Sequence, residues 1–284
     1  MAAEDPDQPL KENLRSILEE SGGGGVVAFI QGTLDPEQRR KLYTLARLSF
    51  PDRKSPNRRF DDFIRIARAG IVEGLRQAEL ARARGDTNEA RECIDFANRL
   101  SYNLSADLAE CWPGDEAPRE RQHFETGLHA AYDCIVWRQE LGKPPERRAM
   151  AHWAAGMHQL SLGNPIEALC GFEAAFGLAL QGAVAARAAA GGGTPAPDAK
   201  PEAFVKPNGD FAVILYYGYA GIARHLLGDS TGTRQFEQAC AAFAGTLKAP
   251  GDKDAAQDAE FGLDQLRWVE RKFMAAGAGA ATAR

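Results

Sequence analysis

The chain has 284 residues, 44% of them hydrophobic and 26% charged, and carries a formal net charge of -5. That length supports a sizeable core or a linear array of small units, and the composition excludes fibrous and fully disordered classes. A charge this small gives no bulk attraction to nucleic acid or to an anionic membrane, so either partner would depend on local clusters.

Five cysteines, Cys93, Cys111, Cys134, Cys170 and Cys240, stand far apart without a CxxC pair. This excludes the common zinc and dithiol spacings and leaves reduced packing thiols. The opening MAAEDPDQPLKENL is acidic and polar, without the basic and apolar regions of a secretory signal. The longest apolar run, Phe211 to Ala223, covers 13 residues, where a bilayer span needs about 20. The expected location is therefore the cytoplasm, with no membrane partner.

Apolar residues recur at helical steps over most of the length, and only VVAFI, Val26 to Ile30, reads with period two. SGGGG, Ser21 to Gly25, lacks the lysine and the Ser/Thr of a phosphate loop and reads as a flexible joint between an N-terminal helix and the body. Asp35-Pro36-Glu37-Gln38 supplies an N-cap, a first-turn proline and a glutamine three places on, which starts a helix to about Phe50. Phe60, Phe63, Ile64, Ala67, Ile71, Leu75 and Ala78 then step by three or four through a helix from Asn57 to Arg84, closed by Gly85. Another helix runs from Thr87 to about Leu100, before an irregular piece containing Cys111-Trp112-Pro113-Gly114.

Phe124, Leu128, Ala131, Tyr132 and Ile135 form the stripe of a further helix, ended by Gly142 and Pro144-Pro145. Two helices follow, one bearing Met150, Trp153, Met157 and Leu160, the other running from Pro165 to about Arg187, with Gly163-Asn164 between them. The Gly-, Pro- and Ala-rich stretch 188–210 reads as a mobile loop. Helices from Asp210 to Leu227 and from Thr231 to Leu247 flank Gly228-Asp229, and Leu266, Val269 and Phe273 mark a closing helix before a disordered tail.

Three of these turns begin aligned segments: ARGDTNEARECIDFA from Ala83, SLGNPIEALCGFEAA from Ser161 and LLGDSTGTRQFEQA from Leu226. After each glycine a small residue is followed four places on by an apolar one and then by alanine: Ala90, Ile94, Ala97; Ala168, Phe172, Ala175; Gly232, Phe236, Ala239. The third set fits with a turn one residue shorter. Seven residues before each glycine stands another small residue, Ala78, Gly156 or Gly221. Small residues let two antiparallel helices approach closely, and the larger residue fills the joint with the next hairpin.

This pattern resembles the tetratricopeptide repeat family, across about a third of the chain. The turn glycines are 78 and then 65 residues apart and the family's final proline is missing, so the array is irregular. The resemblance implies a concave surface lined by the first helix of each hairpin: Met150, Trp153, Met157 and Leu160 in one unit; Leu215, Ile222 and His225, bordered by Tyr219, in the next. These residues either form a groove for an amphipathic partner helix or peptide, or belong to the core. The Lys, Arg and Asn clamp with which some members hold chaperone tails is absent, because Leu75, Glu79, Trp153, Met157, Gly218 and Ile222 occupy its places.

Between Glu37 and Arg68 ten basic residues face four acids, an excess of six. Within that run Arg39, Arg40, Lys41, Arg53, Lys54, Arg58 and Arg59 form a patch for an anionic partner, or else a solvated charged face. His123 and His129 are six apart, as are His152 and His158, which is not the helical step of a zinc pair. No HExxH or Walker-type stretch occurs.

The sequence thus predicts an all-α antiparallel helix-hairpin array, a tetratricopeptide-like α-solenoid with extra terminal helices. Residues 1–56 are expected to hold the N-terminal helices and the Gly-rich joint, 57–274 the array with its loop at 188–210, and 275–284 the tail. The expected function is a non-catalytic scaffold or adaptor that binds another protein, with no metal or cofactor; the alternative is a nucleic-acid-associated accessory protein using 39–68.

Overall fold

The computed structural model describes residues 5–48, 50, 55, 58–191, 200–249, 251 and 253–274. Arg53, Lys54, residues 192–199 of the expected loop and the expected tail lie outside them. The described residues form ten α-helices and no strand. They fall into two compact units, one drawn from 1–108 and 114–142, the other from 109–113 and 143–284.

The first unit holds α1 (Gln8–Gln31), α2 (Pro36–Leu48), α3 (Phe60–Ala83), α4 (Thr87–Leu108) and α5 (Arg121–Glu140). Asp35 caps α2, its carboxylate accepting from the Glu37 and Gln38 amides at 3.1 and 3.2 Å. The N-terminal helices are not a separate segment. Both α1 and α2 pack on α3, and Leu14, Leu18, Val26, Ile30, Leu42, Tyr43, Ile66, Phe96 and Leu100 share one core.

SGGGG is a packing device in the structure, not a loose joint. The helical path breaks only at Gly22, where φ is 65°, and the Gly23 amide donates to Asp62 Oδ1 at 2.6 Å. A Cβ on Gly23 would lie 2.9 Å from the Asp62 backbone, so only glycine lets α1 come this close to α3. VVAFI is helical too: Val26 and Ile30, one turn apart, are its buried residues, and β-branched composition yields here to tertiary packing.

Helix α4 runs two turns past the expected Leu100. Its continuation buries Ser101, Leu104 and Ser105, and Ser101 Oγ donates to the Ala130 carbonyl of α5 at 2.8 Å. Polar residues on a buried face hide the apolar period that would have extended the reading.

The second unit contains α6 (Pro145–Ser161), α7 (Pro165–Ala189), α8 (Phe211–Leu226), α9 (Ser230–Lys248) and α10 (Lys253–Val269). A 3₁₀ turn at Pro201–Phe204 precedes α8, and a π-helical turn at Glu270–Met274 extends α10. Each helix packs on the next in the chain, and α10 also returns to α8.

The three aligned turns share one geometry. Gly85, Gly163 and Gly228 have φ of 77°, 81° and 78°. The amide after each glycine donates to the carbonyl five residues back: Asp86 to Ala81 at 2.9 Å, Asn164 to Gln159 at 2.9 Å, Asp229 to Arg224 at 3.0 Å. These are the bonds of the left-handed helix stop that glycine favours. Close approach also follows the small residues. A Cβ on Gly156 would meet the Phe172 ring at 2.6 Å, and one on Gly221 the Phe236 amide nitrogen at 2.6 Å.

Candidate functional site

The expected groove residues are core. Trp153, Met157, Leu160, Leu215, Tyr219 and Ile222 are all buried, Trp153 retaining 4% of its surface and Tyr219 none. Trp153 meets Trp112 edge-on at 6.0 Å and tilts against Tyr219 at 6.3 Å. These helices are apolar on more than one side, and the side facing away from the hairpin partner is covered by the 109–113 segment and by neighbouring helices. Only Met150, half-buried, and His225, exposed at the end of α8, keep an outer surface. His225 Nδ1 lies 2.9 Å from Thr233 Oγ1.

The basic segment is largely neutralised within the first unit. Arg39 pairs with Glu73 at 2.7 Å and donates to the carbonyls of Thr33 and Leu34. Arg40 donates to Gln77, Lys41 pairs with Asp7 at 2.6 Å, and Arg59 pairs with Asp62 while donating to the Leu18 carbonyl. Burial alone would raise the Glu73 carboxyl, but hydrogen bonds from Arg76, Gln77 and Arg39 outweigh it and bring the group down to about 2. Arg39, Arg40, Lys41 and Arg59, which composition offers to a partner, thus tie α1, α2 and α3 together.

Arg58 goes further inward, to an ion cluster that no spacing announced. Asp115 is fully buried and accepts from Arg58 at 2.7 Å and from Arg119 at 2.6 Å. Both guanidinium groups cover the Phe60 ring, 4.7 and 4.6 Å from its centroid. Nearby, Arg47 reaches Asp107 at 3.0 Å. Burial lowers the Arg58 pKa against the pull of Asp115. The cluster pins the 114–120 connection onto the start of α3; Asp115 is local to Arg119 but 57 residues from Arg58, and Arg47 is 60 from Asp107, beyond any local motif.

Among the described residues no group of three His, Cys, Asp or Glu is placed to hold a metal. His123 works as a capping residue: Nδ1 accepts the Glu120 amide at 3.0 Å and Nε2 lies 3.2 Å from Asp61. Burial, with Arg148 beside it, lowers the pKa of His152.

Two surfaces of the second unit stand out. Along α7 an 18-residue window has the length and composition of a membrane span, yet only 28% of it is buried. The uninterrupted run in α8 is shorter, and its residues are almost all interior. On the covered side of α7, a Cβ at Gly171 would meet the Gly156 backbone at 3.0 Å and one at Gly182 the Glu146 carboxylate; at Gly177 it would meet nothing within 4 Å. Ile166, Cys170, Gly177 and Gln181 are exposed along that open side.

The other surface is a cavity of about 600 Å³ between the 3₁₀ turn, α8 and α9. Tyr217, Arg224, Arg234, Gln235 and Lys200 line it. No protein-family model matches this chain, and no curated protein matches it.

Proposed function

We propose that the protein is a non-catalytic helical scaffold, an irregular relative of the tetratricopeptide arrays, that binds a partner protein. The observation that carries this reading is the uncovered apolar length of α7. A contiguous apolar surface on a folded unit marks an interaction site more often than it marks nothing. Its occupant is an amphipathic partner helix. Small residues along the open side, Ala174, Gly177 and Ala185, let a second helix approach closely, and Leu178 and Val184 beside them are only partly covered. Relation to the tetratricopeptide arrays is supported by the three equivalent glycine turns and by small residues at the hairpin contacts. Binding moves, in this reading, from the first helix of the hairpin to the second, because the first is enclosed.

Cys170, the only exposed cysteine, gives direct access to this face. A benzophenone maleimide placed there should cross-link one stoichiometric protein in the native host, identified by mass spectrometry. Gly177→Arg, which has room for its side chain, should abolish the product while leaving the helical circular-dichroism spectrum intact. Recruitment to lipid vesicles in place of a protein, or an unchanged product in folded Gly177→Arg, overturns the reading.

A further inference from the structure

The cavity between the 3₁₀ turn, α8 and α9 has the size of a small-ligand site, which typically spans about 300–1,000 Å³. Three cations line it, Lys200, Arg224 and Arg234, against one carboxylate, Glu202. Lys200 and Arg234 form no ion pair among the described residues. Arg224, by contrast, is held in place. One of its Nη groups donates to Gln235 Oε1 at 2.6 Å, and the other pairs with Glu173.

Gln235 is itself buried, and its amide donates to the Tyr217 carbonyl at 3.0 Å. A buried amide fixed to the backbone and holding a guanidinium is the support that a preorganised binding group requires. The opposite wall is fastened in the same way. Gln238 accepts from the Tyr217 hydroxyl at 3.3 Å and donates to the Glu202 carbonyl at 3.2 Å. Thr231 and Arg234 stand on the first turns of α9, whose N-terminus is capped by Asp229, the carboxylate accepting from the Thr231 amide at 2.9 Å, so the cations of the cavity and not the helix end supply its positive charge. Tyr217 brings an aromatic ring, whose hydroxyl proton is taken by Gln238 and whose face is left for an apolar group.

We infer that this cavity binds a small organic phosphate, its phosphoryl group between Arg234 and Lys200, and its organic part along Tyr217 and Ala203. A free guanidinium fork beside an ammonium offers more donors than a single carboxylate can use and matches the several oxygens of a phosphate. Glu202 sits at the wall and disfavours ligands with several separated charges. The site is on a different face of different helices from the open side of α7, and it stands or falls separately.

Isothermal titration of the full chain with phenyl phosphate tests the inference, with succinate and inorganic phosphate as parallel titrants. Phenyl phosphate should bind with a 1:1 stoichiometry and inorganic phosphate more weakly. Arg234→Ala, at an exposed position, should weaken phenyl phosphate at least tenfold, Arg234→Lys less, and Gly177→Arg not at all. Affinity should fall as salt rises. No binding of phenyl phosphate, equal or tighter binding of succinate, or unchanged affinity in Arg234→Ala each overturns the assignment.

Discussion

The Phe172 ring of α7 stacks on the Tyr219 ring of α8, with centroids 5.2 Å apart and planes 23° from parallel. Phe172 also lies over Gly156 of α6, where a Cβ would meet its ring. One side chain thus closes its own hairpin and joins it to the next. Its equivalents behave alike: Ile94 clusters with Leu141 at the end of α5, and Phe236 lies under Arg267 of α10 at 5.3 Å. Phe172→Ala should therefore cost about 3–5 kcal/mol, the range for emptying a buried aromatic position. Urea denaturation followed by circular dichroism measures it, and a loss below 1 kcal/mol would mean that the joint is not where stability resides.

Two glycines on helices should respond oppositely to alanine. At Gly221 the new methyl would lie 2.6 Å from the Phe236 nitrogen and 2.9 Å from the Gly232 carbonyl oxygen, both backbone atoms that cannot step aside. Overpacking of this kind costs about 1–3 kcal/mol. Gly177 has open space instead, so Gly177→Ala should gain up to about 1 kcal/mol from helix propensity alone. Thermal melts of the two variants, run side by side, should shift in opposite directions.

Asp115 neutralises two arginines in the interior of the first unit. Removing it leaves those charges buried without their counterion, so Asp115→Ala should destabilise by about 3–5 kcal/mol. Substituting the solvent-exposed Arg121–Glu125 pair should change stability by less than about 1 kcal/mol. Equal effects in chemical denaturation would contradict the distinction.

Thiol reactivity should separate the cysteines. Cys93, Cys111, Cys134 and Cys240 are buried and Cys170 is exposed. Burial pushes the Cys134 thiol up to about 12 and Cys240 up to about 11. Cys134 also donates to Asn98 Oδ1 at 2.9 Å, which favours the protonated form. At pH 8 a disulfide reagent should titrate one thiol quickly and the other four only after unfolding; Cys170→Ser should remove the fast phase.

Glu73 makes acid stability testable at a single residue. Its carboxyl moves from an ordinary 4.5 down to about 2 in the folded chain. A lowered value means stability that is fully present above 4.5 and is lost as pH falls through about 2. Glu73→Gln should flatten that part of the stability profile while leaving the slope above pH 5 unchanged. An unaltered profile between pH 4.5 and 2 would rule out the Arg39, Arg76 and Gln77 bonds as its source.

The helices, their caps and the three glycine turns were legible in the sequence, because each depends on atoms a few residues apart. Asp35 caps its own helix, a positive φ selects glycine at Gly85, Gly163 and Gly228, and the small-residue pairs lie within one hairpin. Where the sequence misled, a distant partner had decided the outcome. Gly23 answers to Asp62, and Arg39, Lys41, Arg58 and Arg59 to Glu73, Asp7, Asp115 and Asp62. Trp153 and Tyr219 are enclosed by elements that periodicity cannot rank. Hydrophobic stripes state that a face will be covered, not by what. Burial is a property of the assembled unit, and so only tertiary packing could enclose the expected groove and leave α7 open.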